Sequence, residues 1–217
     1  MMAVVTDIRT ERVKRRRERV VYVDGEIALT ITEETFLRVG LRVGQMLNTD
    51  RLREIETSDR VTRAREQALR LLDHRPRTRR EIEQRLMRNG WDATIVAHVV
   101  QRLIEGEWID DARYARLYAE EQRRLRLAGA TLIRRELRRK GVEAELIEAA
   151  LQEGEDKDDE PVRAYELLSR RHRRYEDLDA RTAERRMAGL LERRGFDGET
   201  IYSVVQRILN EMKEQNP

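Results

Sequence analysis

A glycine-centred turn occurs three times in this chain at nearly equal spacing, and this repetition limits the folds open to it. The turns read Asn-Gly-Trp-Asp at 89–92, Lys-Gly-Val-Glu at 140–143 and Arg-Gly-Phe-Asp at 194–197, with their glycines 51 and 54 residues apart. A glycine just past a helix end adopts positive φ without strain, and an acid after it can cap a second helix. Each turn therefore predicts a joint between two helices.

Apolar residues recur at fixed positions before these turns. Four and eight residues before each glycine lie six apolar side chains: Ile82, Leu86, Ile133, Leu137, Met187 and Leu191. This spacing puts them on one face of a helix, and a second amphipathic stretch follows each turn. A third helix is predicted before each pair, over about 59–73, 111–126 and 160–174. Asp110 and Asp159 are expected to cap the last two. The pattern predicts an elongated tandem array of three three-helix, helix-turn-helix-like repeats, in which each repeat packs mainly on its neighbours.

The composition also indicates a mainly α protein. The 217 residues include only 3 prolines and 5% aromatic residues, which argues against an all-β fold with many turns. Charged residues make up 40% and hydrophobic residues 39%, against about 25% and 45–50% in an ordinary domain. A stack of small repeats tolerates such a composition because much of its surface is solvated.

The pattern of the first 57 residues predicts a small N-terminal cap that contains both a β-hairpin and short helices. Residues 20–31 alternate apolar and polar around Asp24-Gly25, a pair that suits a two-residue β-hairpin turn. Thr32 is expected to cap a short helix that ends at Gly40, and Thr49 a second short one. The predicted domains are the cap, 1–57, and three repeats over 58–106, 107–154 and 155–217.

Several classes of protein are disfavoured by what the sequence lacks. There is no cysteine, hence no disulfide and no sulfur-based zinc site. No apolar run reaches about 18 residues and residues 1–10 do not resemble a signal peptide, so we expect a cytoplasmic protein with no membrane contact. The sequence contains no phosphate-binding glycine loop or nucleophile-elbow motif. Three dispersed histidines predict no metal site: His74, His98 and His172. The acid pairs Asp110-Asp111 and Asp158-Asp159 are interpreted as helix caps, and we expect no catalytic residue and no cofactor.

The near-zero net charge of +3 conceals a strong segregation of sign. Between residues 123 and 140 eight bases stand against Glu136 alone: Arg123, Arg124, Arg126, Arg134, Arg135, Arg138, Arg139 and Lys140. Residues 143–160 reverse the sign, with nine acids against Lys157. Smaller basic clusters lie at Arg9–Arg19, Arg75–Arg88 and Arg170–Arg174, and at Arg181, Arg185, Arg186, Arg193 and Arg194.

Two interpretations of the eight bases at 123–140, here called the basic stripe, stay open. A basic face repeated along an array can follow a phosphate backbone. Charge runs on helices are also commonly solvated faces with i,i+4 pairs. The excess of arginine over lysine suits phosphate binding but equally follows from a GC-rich genome. The aromatic residues at turn or core spacing are assigned to packing rather than to base stacking: Trp91, Trp108, Tyr114, Tyr118, Phe196 and Tyr202.

One segment after the first turn carries a more specific signature. Its members are interpreted as a joint between repeats: Gly106, Trp108, Ile109, Asp110, Asp111, Tyr114 and Ala115. Upstream, Thr78 and Glu81 have the spacing of a capping box, and Leu86 follows. Together, this joint motif, the Thr-x-x-Glu-x-x-x-x-Leu signature and the triple repeat resemble the RecX family of bacterial regulators of the RecA recombinase. The resemblance covers about residues 20–212. The basic segment Arg9–Arg19 and the acidic linker Glu153–Glu160 are not matched to the family.

The resemblance implies a non-enzymatic regulator of homologous recombination and DNA repair within the SOS response. Such a protein binds along the RecA–DNA filament, lodges in its groove and lowers the ATPase, strand-exchange and coprotease activities of RecA. The expected partners are the RecA filament and DNA, bound weakly, without sequence specificity and in a salt-sensitive way, by a monomer of this chain. The residues of the basic stripe are the expected contacts.

Two rival functions remain at this point. The glycine turns also suit a sequence-specific helix-turn-helix transcription regulator. A structural scaffold that binds neither partner is the third possibility.

Overall fold

The computed structural model describes residues 2–13, 16–153 and 159–215 and is mainly helical in these ranges. Its four strands are β1 Met2–Val13, β2 Arg16–Val23, β3 Glu26–Thr32 and β4 Met46–Asn48. The first five helices are α1 Glu33–Val39, α2 Thr49–His74, α3 Arg79–Arg88, α4 Ala93–Glu105 and α5 Asp111–Arg126. The other five are α6 Ala130–Arg139, α7 Ala144–Gln152, α8 Asp159–Ser169, α9 Ala180–Arg194 and α10 Gly198–Gln215. Mainly helical architecture with a small strand region at the start is thus confirmed.

The chain divides into two compact units. The first takes in Met1–Pro76 and Ile82–Ile109, and the second takes in Arg77–Glu81 and Asp110–Pro217.

The first unit opens with an antiparallel sheet in the strand order β3-β2-β1-β4. The predicted hairpin is confirmed, since Asp24 and Gly25 join β2 to β3 with φ angles of 50° and 88°. The short helix α1 is confirmed as well. The Thr32 hydroxyl accepts from the Thr35 amide at 3.2 Å, and Gly40 ends the helix at a φ of 67°.

The second short helix predicted at Thr49 is wrong. The cap is Asn48, whose side-chain oxygen accepts from the Arg51 amide at 2.8 Å, and α2 then runs unbroken for 26 residues. No glycine or proline interrupts these residues, so nothing ends the helix before His74. Because α2 is long it serves two cores. Ile55 packs under the sheet, and Ala64 packs among α3 and α4.

A buried polar network, which the sequence pattern did not indicate, joins the sheet to α2. Asp59 is 4% exposed and accepts from the amide and hydroxyl of Thr32 at 2.7 and 2.8 Å. Arg63 donates to Asp59 at 2.6 Å and to Glu18, itself 5% exposed, at 2.7 and 3.1 Å. Burial of two carboxylates is tolerated here because one guanidinium holds both.

The helical repeats follow the predicted apolar pattern. All six apolar residues before the glycine turns are fully buried, at 0% exposure, in three separate clusters. Gly90, Gly141 and Gly195 end α3, α6 and α9 with φ angles of 87°, 81° and 82°. The structure therefore confirms the predicted helix-turn-helix joints.

The first helix of the third repeat is shorter than predicted. It ends at Ser169 rather than near residue 174, and a short 3-10 helix, His172–Arg174, follows. Arg170–Arg174 carry four arginines in five residues, which disfavours a continued helix, and the chain turns to bury Tyr175 at 5% exposure. Asp159 is the first residue of α8, but its side chain, like the whole of Asp158, lies outside the described part of the chain, so its predicted cap is not tested.

Candidate functional site

The second unit contains two places where the end of one helix lies against the start of another. At the first, Thr78 forms the predicted capping box: its hydroxyl accepts from the Glu81 amide, and its own amide donates to the Glu81 carboxylate, both at 3.2 Å. The same hydroxyl donates to the carbonyl of Lys140, at the end of α6, at 2.7 Å. The junction is tight, since a Cβ on Gly141 would lie 2.1 Å from Cδ of Arg80.

The acid pair of the joint motif serves two helix starts at this junction. Asp110 caps its own helix, as predicted, by accepting from the Arg113 amide at 2.8 Å. Asp111 accepts instead from the Arg79 amide, which opens α3, at 2.8 Å. Helix N-termini leave amides without intrahelical partners, so each carboxylate satisfies a separate deficit. Sequence reasoning missed the second role because its partner is 32 residues away.

The second junction repeats this arrangement with backbone groups. The amides of Gly129 and Thr131 donate to the carbonyls of Arg194 and Gly195, at 2.9 and 3.1 Å. As at the first junction, an acid from another helix accepts a hydrogen bond from an amide at the helix start: the Ala130 amide donates to the Glu160 carboxylate at 3.0 Å. A Cβ on Gly129 would lie 2.3 Å from the Gly195 carbonyl oxygen, so the two segments touch through their backbones.

The remaining joint-motif residues divide between core and surface. Gly106 ends α4, as predicted, although the positive φ of 58° falls on Glu107. Ile109 is 3% exposed in the first unit, and Ala115 is fully buried in the second. Trp108 is 63% exposed, so its assignment to packing is wrong. Its indole instead covers Gly106, where an added Cβ would lie 3.1 Å from the ring.

The other aromatic residues mostly follow the packing assignment. Trp91 is half-buried and donates to Gln67 at 2.6 Å, and Phe196 is 4% exposed. Tyr202 is 70% exposed, because it lies on the outer side of α10, and its predicted packing role is also wrong.

A tyrosine and lysine cluster lies beside the first junction. Tyr114 and Tyr118 stack with ring centroids 6.1 Å apart, and the Lys140 ammonium lies 5.6 and 5.2 Å from those centroids. The same ammonium is 3.9 Å from the Glu81 carboxylate. Burial, and then a short hydrogen bond to Glu136, raise the pKa of Tyr118 above that of an ordinary tyrosine.

Three members of the basic stripe hold the fold together. Arg123 donates to the carbonyls of Leu151 and Glu153 at 2.5 and 3.3 Å, which satisfies the end of α7. Arg134 forms a two-fold pair with Glu148, at 2.7 and 2.8 Å. Lys140 belongs to the tyrosine cluster. These cations are engaged within the protein.

The other five members of the basic stripe are exposed. Within the described ranges no ion pair joins any of them to a carboxylate: Arg124, Arg126, Arg135, Arg138 and Arg139. Arg135, Arg138 and Arg139 follow the i, i+3, i+4 spacing and form the outward face of α6, here called the α6 arginine face. Arg124 instead lines an open groove bordered by α5 and α8, to which α6 contributes no described lining residue. The stripe is continuous in sequence but divided in space.

The described part of the chain offers no candidate metal site. No group of three or more His, Asp or Glu residues there could hold a metal ion. None of the described helices has the length and apolar character needed to cross a bilayer.

Comparison with known proteins gives a consistent result. Family models of the first, second and third three-helix domains of RecX match residues 64–103, 110–151 and 158–205. Curated relatives called Regulatory protein RecX include one from Bacillus cytotoxicus, 29% identical over 99% of this chain and 78% of its own length. Another, from Geobacillus kaustophilus, is 31% identical over 94% of this chain and 77% of its own.

Solved structures agree with these relatives. A crystal structure of regulatory protein RecX matches with a TM-score of 0.77 and 25% identity, over 94% of this chain and 99% of that one. RecX from Lactobacillus salivarius matches in fold, with a TM-score of 0.64 and 24% identity, over 70% of this chain and 97% of that one. This chain therefore belongs to the RecX family of regulatory proteins.

Proposed function

We propose that this protein regulates the RecA recombinase without enzymatic activity of its own, by binding along the RecA–DNA filament and lowering its ATPase, strand-exchange and coprotease activities. Membership of the RecX family is the observation that carries the proposal. The curated relatives are named as regulatory proteins, which agrees with a role of this kind.

We assign the contact with DNA phosphates to the α6 arginine face. Its three guanidiniums project from one helix and form no ion pair among the described residues, although the charge of Arg138 acts on Glu148 at longer range. An external anion can therefore engage them without first breaking an internal pair. The α6 backbone is held at both ends by the two junctions, which fixes the backbone positions from which these side chains project. The engaged members of the stripe, Arg123, Arg134 and Lys140, act as supports.

A charge reversal tests this assignment. The variant Arg135→Glu/Arg138→Glu/Arg139→Glu should lose most inhibition of the DNA-dependent ATPase of RecA. A control with the same change in net charge reverses three exposed arginines of the first unit, Arg42, Arg53 and Arg102. Arg53 and Arg102 lie 3.7 and 3.5 Å from acids of their own helices, so this control also loses two exposed ion pairs. The logarithmic salt dependence of single-strand binding should fall by about two for the first variant, at roughly 0.7 per phosphate contact, and little for the control.

One result would contradict the assignment of DNA contact to α6, and another would contradict the regulatory role itself. If the α6 variant keeps its helical circular dichroism and still inhibits like the unmodified protein, the α6 assignment fails while the regulatory role stands. If the unmodified protein leaves the ATPase rate unchanged at saturation, the regulatory role itself fails. A preference of several kcal/mol for one duplex sequence would favour a transcription regulator instead.

A further inference from the structure

The basic segment Arg9–Arg19 has no assigned role, and its described residues, 9–13 and 16–19, pair with one another where β1 and β2 form the outer part of a hairpin. Arg12 lies opposite Arg17 and Val13 lies opposite Arg16. The neighbouring strands stop short of these pairs, since β3 pairs with β2 only from Glu18 onward and β4 pairs with β1 only over residues 2–4. Among the described strands, the hairpin therefore ends as a two-stranded ribbon.

Some arginines near the ribbon end form ion pairs with acids, and others do not. Arg9 pairs with Asp7 at 2.7 Å, and Arg19 pairs with Glu33 at 2.6 and 2.8 Å. The hydrogen bond from Arg19 is the main reason why the pKa of Glu33 lies below its usual value, and the charge of Arg17 adds a smaller effect without forming an ion pair. Arg12 and Arg17 are exposed, and no ion pair to either occurs within residues 2–13, 16–153 and 159–215. The sequence 12–17 contains five bases and no acid.

A directly opposed pair of like charges destabilises a sheet, yet Arg12 and Arg17 occupy such a position. An external ligand with closely spaced negative charges removes this repulsion, and arginine forks match phosphate oxygens. A two-stranded β-ribbon is narrow enough to enter the major groove of duplex DNA, which is about 12 Å wide. The described ribbon end carries no aromatic side chain of the kind on which single-stranded bases stack.

We propose that the ribbon end bearing Arg12 and Arg17 is a phosphate-binding site for the groove of duplex DNA. This site is separate from the α6 arginine face and does not rest on the regulation of RecA. Because it contacts phosphates rather than base edges, it binds duplexes of different sequence alike.

The first test removes the two charges and measures binding to a short fluorescent duplex of mixed sequence, without RecA. Arg12→Ala/Arg17→Ala should bind about tenfold more weakly, with a logarithmic salt dependence smaller by about two, since each lost phosphate contact removes roughly 0.9. The control Arg42→Ala/Arg53→Ala removes the same charge from exposed positions of the same unit and should stay within about twofold. Equal affinity and equal salt dependence in the two variants would overturn the proposal.

A second measurement leaves both arginines in place, so it remains informative even if the double variant folds poorly. The chain has no cysteine, and Val13→Cys therefore places one environment-sensitive fluorophore at the ribbon end. Duplex addition should change its emission, while a fluorophore at Arg53→Cys should not respond. No response at residue 13, or a tighter response to single-stranded DNA or polyglutamate than to the duplex, would overturn the proposal. The same fluorophore at residue 13 of the α6 variant should still change its emission on addition of duplex, because the two sites are proposed to bind DNA independently.

Discussion

The hydroxyl of Thr78 donates to the carbonyl of Lys140 at 2.7 Å while it accepts from the amide of Glu81. One buried side chain thus satisfies the start of α3 and the end of α6, although the two residues are 62 positions apart. The same two helix ends also meet through Gly141 and Arg80. This relationship makes residue 78 a sensitive point of the second unit.

Thr78→Val should destabilise the protein by about 2 kcal/mol, because it removes a helix cap and leaves the partly buried carbonyl of Lys140 without its hydrogen bond. Urea unfolding measures the loss. Thr78→Ser keeps the hydroxyl and should recover most of it. Thr131→Val is the matched control, since Thr131 is exposed and its hydroxyl makes no hydrogen bond among the described residues. A similar loss in both valine variants would contradict the role given to Thr78.

Gly129→Ala should destabilise the second junction by about 2–3 kcal/mol, because an added methyl lies 2.3 Å from a backbone oxygen that cannot rotate away. The backbone of Gly129 has an ordinary φ of −81°, so the effect reports contact alone. Gly198→Ala is the control, with nothing within 4 Å of the new methyl, and should be neutral or stabilising by a few tenths of a kcal/mol. Thermal unfolding of the two variants compares them, and equal melting temperatures would refute the close contact.

Glu148 should titrate below the usual glutamate range because the two hydrogen bonds from Arg134 favour its charged form. Since the folded pKa is the lower one, the pair stabilises the protein above the unfolded value of about 4.3, and this contribution is lost as the pH falls through the folded pKa. Arg134→Met should raise the pKa of Glu148, as followed by carboxyl chemical shifts in NMR. Arg135→Met removes a neighbouring unpaired arginine and should have a much smaller effect.

The two tryptophans should report opposite environments. Trp108→Phe leaves only Trp91, half-buried and hydrogen-bonded to Gln67, whose emission should be shifted to the blue and quenched weakly by acrylamide. Trp91→Phe leaves the 63% exposed Trp108, which should emit like indole in water and be quenched strongly. Trp108→Ala should change the unfolding free energy by less than about 0.5 kcal/mol, as an exposed position implies. Equal quenching in the two single-tryptophan variants would contradict the exposure of Trp108.

Patterns within one or two helical turns predicted much of the fold. The apolar residues before Gly141 and Gly195, the hairpin at Asp24-Gly25 and the Thr78–Glu81 capping box depend on neighbours at most eight positions away. The extent of α2 was not predicted, because Thr49 is a good cap by itself and only Asn48 has the right backbone position. The domain boundaries proposed at residues 57, 106 and 154 remain predictions, and α2 continues through the first of them.

The candidate site was predicted only in outline. Charge counting located the stripe at 123–140 but could not separate Arg134, which Glu148 holds, from Arg135, which is exposed. These two arginines are adjacent in sequence and lie on different sides of α6, so their partners depend on what packs there. The ribbon end at Arg12 and Arg17 was not predicted, although the two residues are only five positions apart, because residues 12–17 contain no turn pair such as the Asp24-Gly25 of the second hairpin.

The sequence by itself determined the helices, their turns and the apolar faces, because these follow from backbone capping and periodicity over a few residues. Only the tertiary structure decided which charges are engaged and which are available to a partner. Asp111 reaches Arg79 across 32 positions and Arg134 reaches Glu148 across 14. The physical reason is that a charge is neutralised by the groups that folding brings within hydrogen-bond distance, and nearness along the chain does not fix which groups those are.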